Sequence, residues 1–146
     1  MVTALQAQTP QTQPQSKTWK VGDIYNVNGK EGVVFTVSPD GKHGVIISMK
    51  QPKENKDWNS AKAWGASLTS TGWRLPTVHE LQLIWAVKTT LNEVLYWAKG
   101  DAIRYASYWS SEESDSDSAW SVSMHGGGTF DFRKSYSTFV RAVSAF

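Results

Sequence analysis

The sequence predicts an α+β fold with N-terminal β-hairpins, two to three helices, and C-terminal antiparallel strands joined by long loops. Three observations predict it. β-Branched runs fill residues 24–49, apolar residues recur at helical spacing between Asp57 and Lys99, and polar and apolar residues alternate after Ala119. The 146 residues, 40% hydrophobic and 19% charged, are enough for one compact domain and its core.

Residues 1–17 carry five Gln, three Thr and two Pro with few apolar residues, a composition that reads as a disordered tail. Within it, Leu5-Gln6-Ala7 resembles the small-residue end of a secretory signal. The folded domain is expected over residues 18–146. Ile24 to Val27, Asn28-Gly29 and Glu31 to Ser38 read as a hairpin, because Asn-Gly suits the positive φ angles of a type I′ turn. A second hairpin joins Val33–Val37 to Val45–Met49 through Pro39-Asp40-Gly41.

Asp57 is placed to cap a helix carrying Trp58, Ala61 and Trp64. Thr77 and Glu80 have the spacing of a capping box. Leu81, Ile84, Trp85 and Lys88 continue at helical spacing and are read as a core-facing stripe. Leu91 to Lys99 forms a third helical candidate, ended by Gly100. From Ala119 to His125, Trp120, Val122 and Met124 fall on one face of a strand, and Ser121, Ser123 and His125 on the other. Gly126-Gly127-Gly128 turns it, Thr129–Arg133 is its partner, Lys134–Thr138 a polar loop, and Phe139–Phe146 a final strand.

Several chemistries are excluded or unsupported. With no cysteine, disulfides, thiolate zinc sites and cysteine nucleophiles are impossible. His79-Glu80 opens a metalloprotease-like pattern, but Leu83 stands where the second histidine is needed. Gly65-Ala66-Ser67 lacks the closing glycine of a nucleophile elbow, since Thr69 occupies that position. Glu112, Glu113, Asp115 and Asp117 are oxygen ligands close in sequence, yet the glycine and distal glutamate of a calcium loop are missing, so a solvated acidic loop is expected. A net charge of +2 with scattered basic residues does not favour nucleic acid, and no apolar run is long enough for a membrane span. Neither cofactor nor metal is expected.

Gly72-Trp73-Arg74-Leu75-Pro76-Thr77, then Glu80-Leu81, Tyr108-Trp109-Ser110-Ser111, Ala119-Trp120 and terminal Val140-Arg141-Ala142-Val143 form an ordered series. Over roughly residues 57 to 146 this series resembles the C-type-lectin-fold proteins of the formylglycine-generating-enzyme type, and within them the variable proteins of diversity-generating retroelements. The enzymes of that superfamily use cysteines that this chain lacks, so the resemblance to them is one of fold only.

In the variable proteins a reverse transcriptase randomises template adenines, so AAC codons come to encode many residues, but never Lys, Glu, Gln, Trp or Met. Residues 1–113 hold 32 residues of those five types. Ser114 to Phe139 hold three, Trp120, Met124 and Lys134, where the upstream frequency gives about seven. The same stretch has seven Ser, three Gly, one Tyr and three Phe, a mixture like that of antibody paratopes.

The resemblance therefore implies a non-enzymatic, receptor- or adhesin-like domain with a diversified C-terminal binding surface. Its residues would be Ser114, Asp115, Asp117, Ser121, Ser123, His125, Gly126, Gly128, Phe130, Asp131, Phe132, Arg133, Ser135, Tyr136 and Ser137. Trp73, Leu75, Trp109 and Trp120 would be structural. Phe130, Phe132 and Tyr136 should be exposed beside Ser121, Ser123 and His125, with an irregular backbone after the glycines carrying both Phe off the inner face. The partner would be a protein or glycan met outside the cell, on a cell surface or a phage particle. A fixed-specificity adhesin or carbohydrate-binding domain of the same fold is the alternative, and a divergent enzyme the third reading.

Overall fold

A computed structural model describes residues 17–68 and 70–146; the expected tail, apart from Lys17, lies outside them. The elements run β1 (Ile24–Val27), β2 (Lys30–Val37), β3 (Gly44–Ser48), α1 (Trp58–Ala66), α2 (Val78–Ala86), α3 (Lys88–Trp97), β4 (Ser107–Glu113), β5 (Ser118–Ser123), β6 (Thr129–Arg133) and β7 (Val143–Ala145). They form two antiparallel sheets, ordered β1-β2-β3-β7 and β4-β5-β6. The class is the one the sequence predicts.

Local chemistry sets most boundaries. Asn28 and Gly29 both take positive φ, 54° and 83°, as a type I′ turn requires. Asp40 Oδ1 accepts from Ser38 Oγ and from the Lys42 amide, closing the β2–β3 turn. Asp57 caps α1 by accepting from the Ser60 amide at 2.8 Å. Thr77 and Glu80 form the full capping box at the start of α2. The end of α3 differs from expectation. The left-handed residue there is Lys99, φ 61°, whose amide donates to Tyr96 O while that of Gly100 donates to Leu95 O. Gly100 serves close packing instead: a Cβ there would stand 2.8 Å from Met49 O and 2.9 Å from Leu95 Cδ2.

The main core lies between the sheets and helices, where Val33, Phe35 and Ile47 meet Leu81, Ile84, Leu91 and Leu95, and these meet Tyr108, Val122 and Met124. Two further clusters cover the opposite faces of the sheets. Trp58, Ala61 and Leu75 pack on Trp109, Ala119 and Val140, and Trp19 and Trp73 pack on Val34, Ile46 and Ala142. Strand β4 is thus buried on both faces, so Tyr108 and Trp109 are each buried although adjacent. The sequence carried no alternation to reveal it as a strand.

The expected final strand, 139–146, shortens to Val143–Ala145. Ahead of it the chain crosses between the sheets: Phe139 exchanges backbone hydrogen bonds with Ser107 and Trp109, and Val143 with Arg74. Buried Arg141 sits in this crossing, donating to Ser48 O, Met49 O and Gln51 Oε1. Burial draws its guanidinium down to about 10, so it remains charged at neutral pH.

Candidate ligand-binding surface

The candidate surface is built by the hairpin β5–β6 and the loops on either side of it. Register places Ala119 opposite Phe132 and Ser121 opposite Phe130, so both Phe side chains share the sheet face of Trp109, Ala119 and Ser121. β6 is the uncovered edge of its sheet. Phe132 reaches back over Trp109, ring centroids 6.0 Å apart, and Tyr136 packs on Phe132 at 4.7 Å. Phe130, further along the edge, is 51% exposed and Tyr136 is 53% exposed. No irregular backbone is needed, because the edge position of a regular strand already leaves Phe130 in solvent.

Of the other expected residues, Asp115, Asp117, His125, Gly126, Gly128, Asp131, Arg133, Ser135 and Ser137 are exposed, and Ser114, Ser123 and Phe132 are half-buried. Ser121 is a correction: it is fully buried, and its Oγ donates to Phe130 O at 2.9 Å. Small polar residues in an alternating strand read as outward-facing, but the cluster around Trp109 covers this face. Trp120, expected in the core, is half-buried and belongs to none of the core clusters. Trp73, Leu75 and Trp109 are buried as expected.

The loops are pinned by fixed contacts. Lys134 Nζ pairs with Glu113, donates to Ser116 O at 2.8 Å and stands 4.8 Å from the Trp58 ring. The hydrogen bond from Lys134 holds the Glu113 carboxyl below its ordinary range. The Trp58 amide donates to Lys134 O and that of Lys134 to Asp117 O, tying both loops to the start of α1. Between them opens a polar cleft of about 480 Å³ lined by Asp57, Asn59, Ser60, Asp117, Arg133 and Ser135, among others. Three of the four loop acids go separate ways: Glu112 accepts from the Val78 amide, Glu113 pairs with Lys134, and Asp115 accepts from the Asp117 amide. Among the described residues no group of three or more His, Asp or Glu side chains is placed to hold a metal.

Two aromatic residues beside this surface escaped the sequence reading. Trp85, read as core, is exposed and lies against Gly127, where a Cβ would stand 2.8 Å from its ring. Tyr105 is 71% exposed, its ring 3.9 Å from Lys88 Nζ and 5.9 Å from the His125 ring. The presence of Trp85 and Lys88 on one helical stripe was the available signal, but period alone does not say where the core ends.

A two-sheet α+β scaffold here carries loops and an edge strand rich in Ser, Gly and aromatic side chains, the make-up of a ligand-binding surface. The chain belongs to the family of the Lcl C-terminal domain, whose model matches residues 18–144. That is the family to which the motif series points, of the diversity-generating variable-protein type. Solved structures similar to it include that of botrocetin, at 13% identity and a TM-score of 0.42, covering 71% of this chain and 89% of that one. No curated protein matches it. No helix among the described residues is long and apolar enough to cross a membrane.

Proposed function

We propose that this chain is a non-enzymatic, receptor- or adhesin-like protein on a C-type-lectin scaffold, with a ligand-binding face diversified by a retroelement. The face runs from Ser114 to Ser137 without Ser121, and it works outside the cell, on a cell surface or a phage particle. One observation carries the reading. Met124 and Lys134, which adenine changes cannot produce from an AAC codon, hold the scaffold, whereas most of the candidate residues, all of them reachable, lie outward. Met124 is fully buried and Lys134 pins the two loops, while eleven of the fifteen candidate residues are exposed. The glycines, all reachable, differ in their contacts: Gly127 has φ 79° and touches Trp85, whereas no atom comes within 4 Å of a Cβ built on Gly126.

Sequencing the gene neighbourhood and many copies of its 3′ end tests this. A reverse transcriptase beside a near-copy of the segment, with changes confined to adenine positions at the exposed codons, is the expected result. An invariant 3′ end without such a template would leave the fixed-specificity adhesin in its place.

A further inference from the structure

β6 is an outer strand of its sheet, paired only with β5, and all five of its residues are exposed or half-buried. Two bonds fix which way its main chain points. The Ser123 amide donates to Gly128 O at 2.9 Å at one end of the hairpin, and the Lys134 amide to Asp117 O at 2.8 Å at the other. In an antiparallel ladder every second residue pair is bonded, so Phe130 and Phe132 turn their amides and carbonyls in to β5, towards Ser121 and Ala119. Thr129, Asp131 and Arg133 turn theirs out. Among the described residues only the Arg133 carbonyl meets a main-chain partner there, the Tyr136 amide at 2.9 Å.

Open edges of this kind are ordinarily blunted by proline, lysine or a bulge. β6 contains neither proline nor lysine and runs along β5 without a shift of register. Asp131 and Arg133 project on the face opposite to that of Phe130 and Phe132, and among the described residues neither belongs to an ion pair. The Asp131 carboxylate has only the Ser114 hydroxyl near it, at 3.5 Å. The edge thus offers unmet donors and acceptors in a fixed register, with one negative and one positive side chain on one face and two aromatic rings on the other. Main-chain bonds do not depend on side-chain identity, so they persist when the side chains of the face change.

We infer that the ligand of this face is a protein, one extended segment of which adds to β6 as a fourth, antiparallel strand. That segment carries a basic residue opposite Asp131, an acidic one opposite Arg133, and apolar residues beside Phe130 and Phe132. The main chain supplies the attachment and the side chains the choice of partner. Five residues of extended chain span about 17 Å, which matches the length of β6. The inference rests on the reading of Ser114–Ser137 as a binding face and names its class of ligand.

The test is an NMR titration of the ¹⁵N-labelled full chain with the blocked peptide acetyl-Glu-Val-Lys-Val-Thr-amide, whose order sets its Lys opposite Asp131 and its Glu opposite Arg133. The amide signals of Thr129, Asp131 and Arg133 should move. Methylating the main-chain nitrogen of the peptide's Lys removes the donor that faces Asp131 O and should weaken binding about tenfold or more; the exchanged order Lys-Val-Glu-Val-Thr should weaken it about threefold to tenfold. Asp131→Pro deletes an outward N–H at a position where an edge strand accepts proline, so the variant should fold and lose the peptide. The double variant Asp131→Lys, Arg133→Glu should reverse the preference between the two peptides. A methylated peptide that binds as tightly as its parent would overturn the inference, as would a well-dispersed spectrum with no shift at β6. A dimer seen in sedimentation without peptide, with the same signals moved, would give the edge to a second copy instead. An invariant 3′ end strikes the diversification and leaves this pairing, whereas library binders that hold one protein as tightly after Asp131→Pro strike the pairing and leave the diversification.

Discussion

The indole of Trp85 lies so close to Gly127 that a Cβ added there would stand 2.8 Å from Cδ2 and Cε3. A glycine triplet that reads as uniform therefore holds one fixed and two free positions. Gly127→Ser is expected to destabilise by about 1 to 3 kcal/mol, through its positive φ and the overlap with Trp85. Gly126→Ser and Gly128→Ser should each stay within about 0.5 kcal/mol of the parent. Urea unfolding midpoints of the three variants check this.

The two aromatic residues of β6 should separate. Phe130→Ser removes an exposed ring and is expected to change stability by no more than about 0.5 kcal/mol. Phe132→Ser takes a half-buried ring off Trp109 and Tyr136, at a cost of about 1 to 2 kcal/mol. Thermal unfolding followed by tryptophan fluorescence distinguishes them, and equal losses would contradict the register described.

Trp109→Ala should cost about 3 to 5 kcal/mol, since the ring is fully buried and its Nε1 donates to Lys56 O. Trp120→Ala, at a half-buried position outside the core clusters, should cost less than half as much. Chemical denaturation of the two single variants measures the difference.

Arg74 and Glu80 make two parallel hydrogen bonds, 2.7 and 2.8 Å, and Glu80 Oε1 also accepts from the Thr77 amide. Burial alone would raise the Glu80 carboxyl, but the hydrogen bonds from Arg74 and Thr77 outweigh it and hold the group below its ordinary range. A lowered folded value means that the ionised carboxylate stabilises the fold above its unfolded pKa. That contribution is lost as pH falls through the folded value. Glu80→Gln should therefore be less stable than the parent at neutral pH, with the gap closing on acidification. A gap that widened with acid would contradict this assignment.

Short-range chemistry made much of the fold legible. Asn28-Gly29, the Asp57 cap, the Thr77–Glu80 box and the β5–β6 alternation each encode their element within a few residues. Features set by distant partners were not. β4 is covered on both faces, by helix α2 on one side and the Trp58 cluster on the other, so Tyr108-Trp109-Ser110-Ser111 shows no period. The same cover hides Ser121, and only the edge position of β6 decides that Phe130 is exposed and Phe132 half-covered. Trp85 belongs with these: its exposure follows from where the helix meets the Gly127 turn, which no local pattern records.

The central claim is that the exposed part of Ser114–Ser137 is a replaceable binding face on a fixed scaffold. The most direct measurement is display of a library randomised at Asp115, Asp117, His125, Gly126, Gly128, Phe130, Asp131, Arg133, Ser135, Tyr136 and Ser137, selected against a single purified protein, with melting curves recorded for the binders. The account predicts folded clones that melt within a few degrees of the parent and bind the chosen protein through different sequences. A library that mostly aggregates, or one that folds but yields no binder, would contradict it.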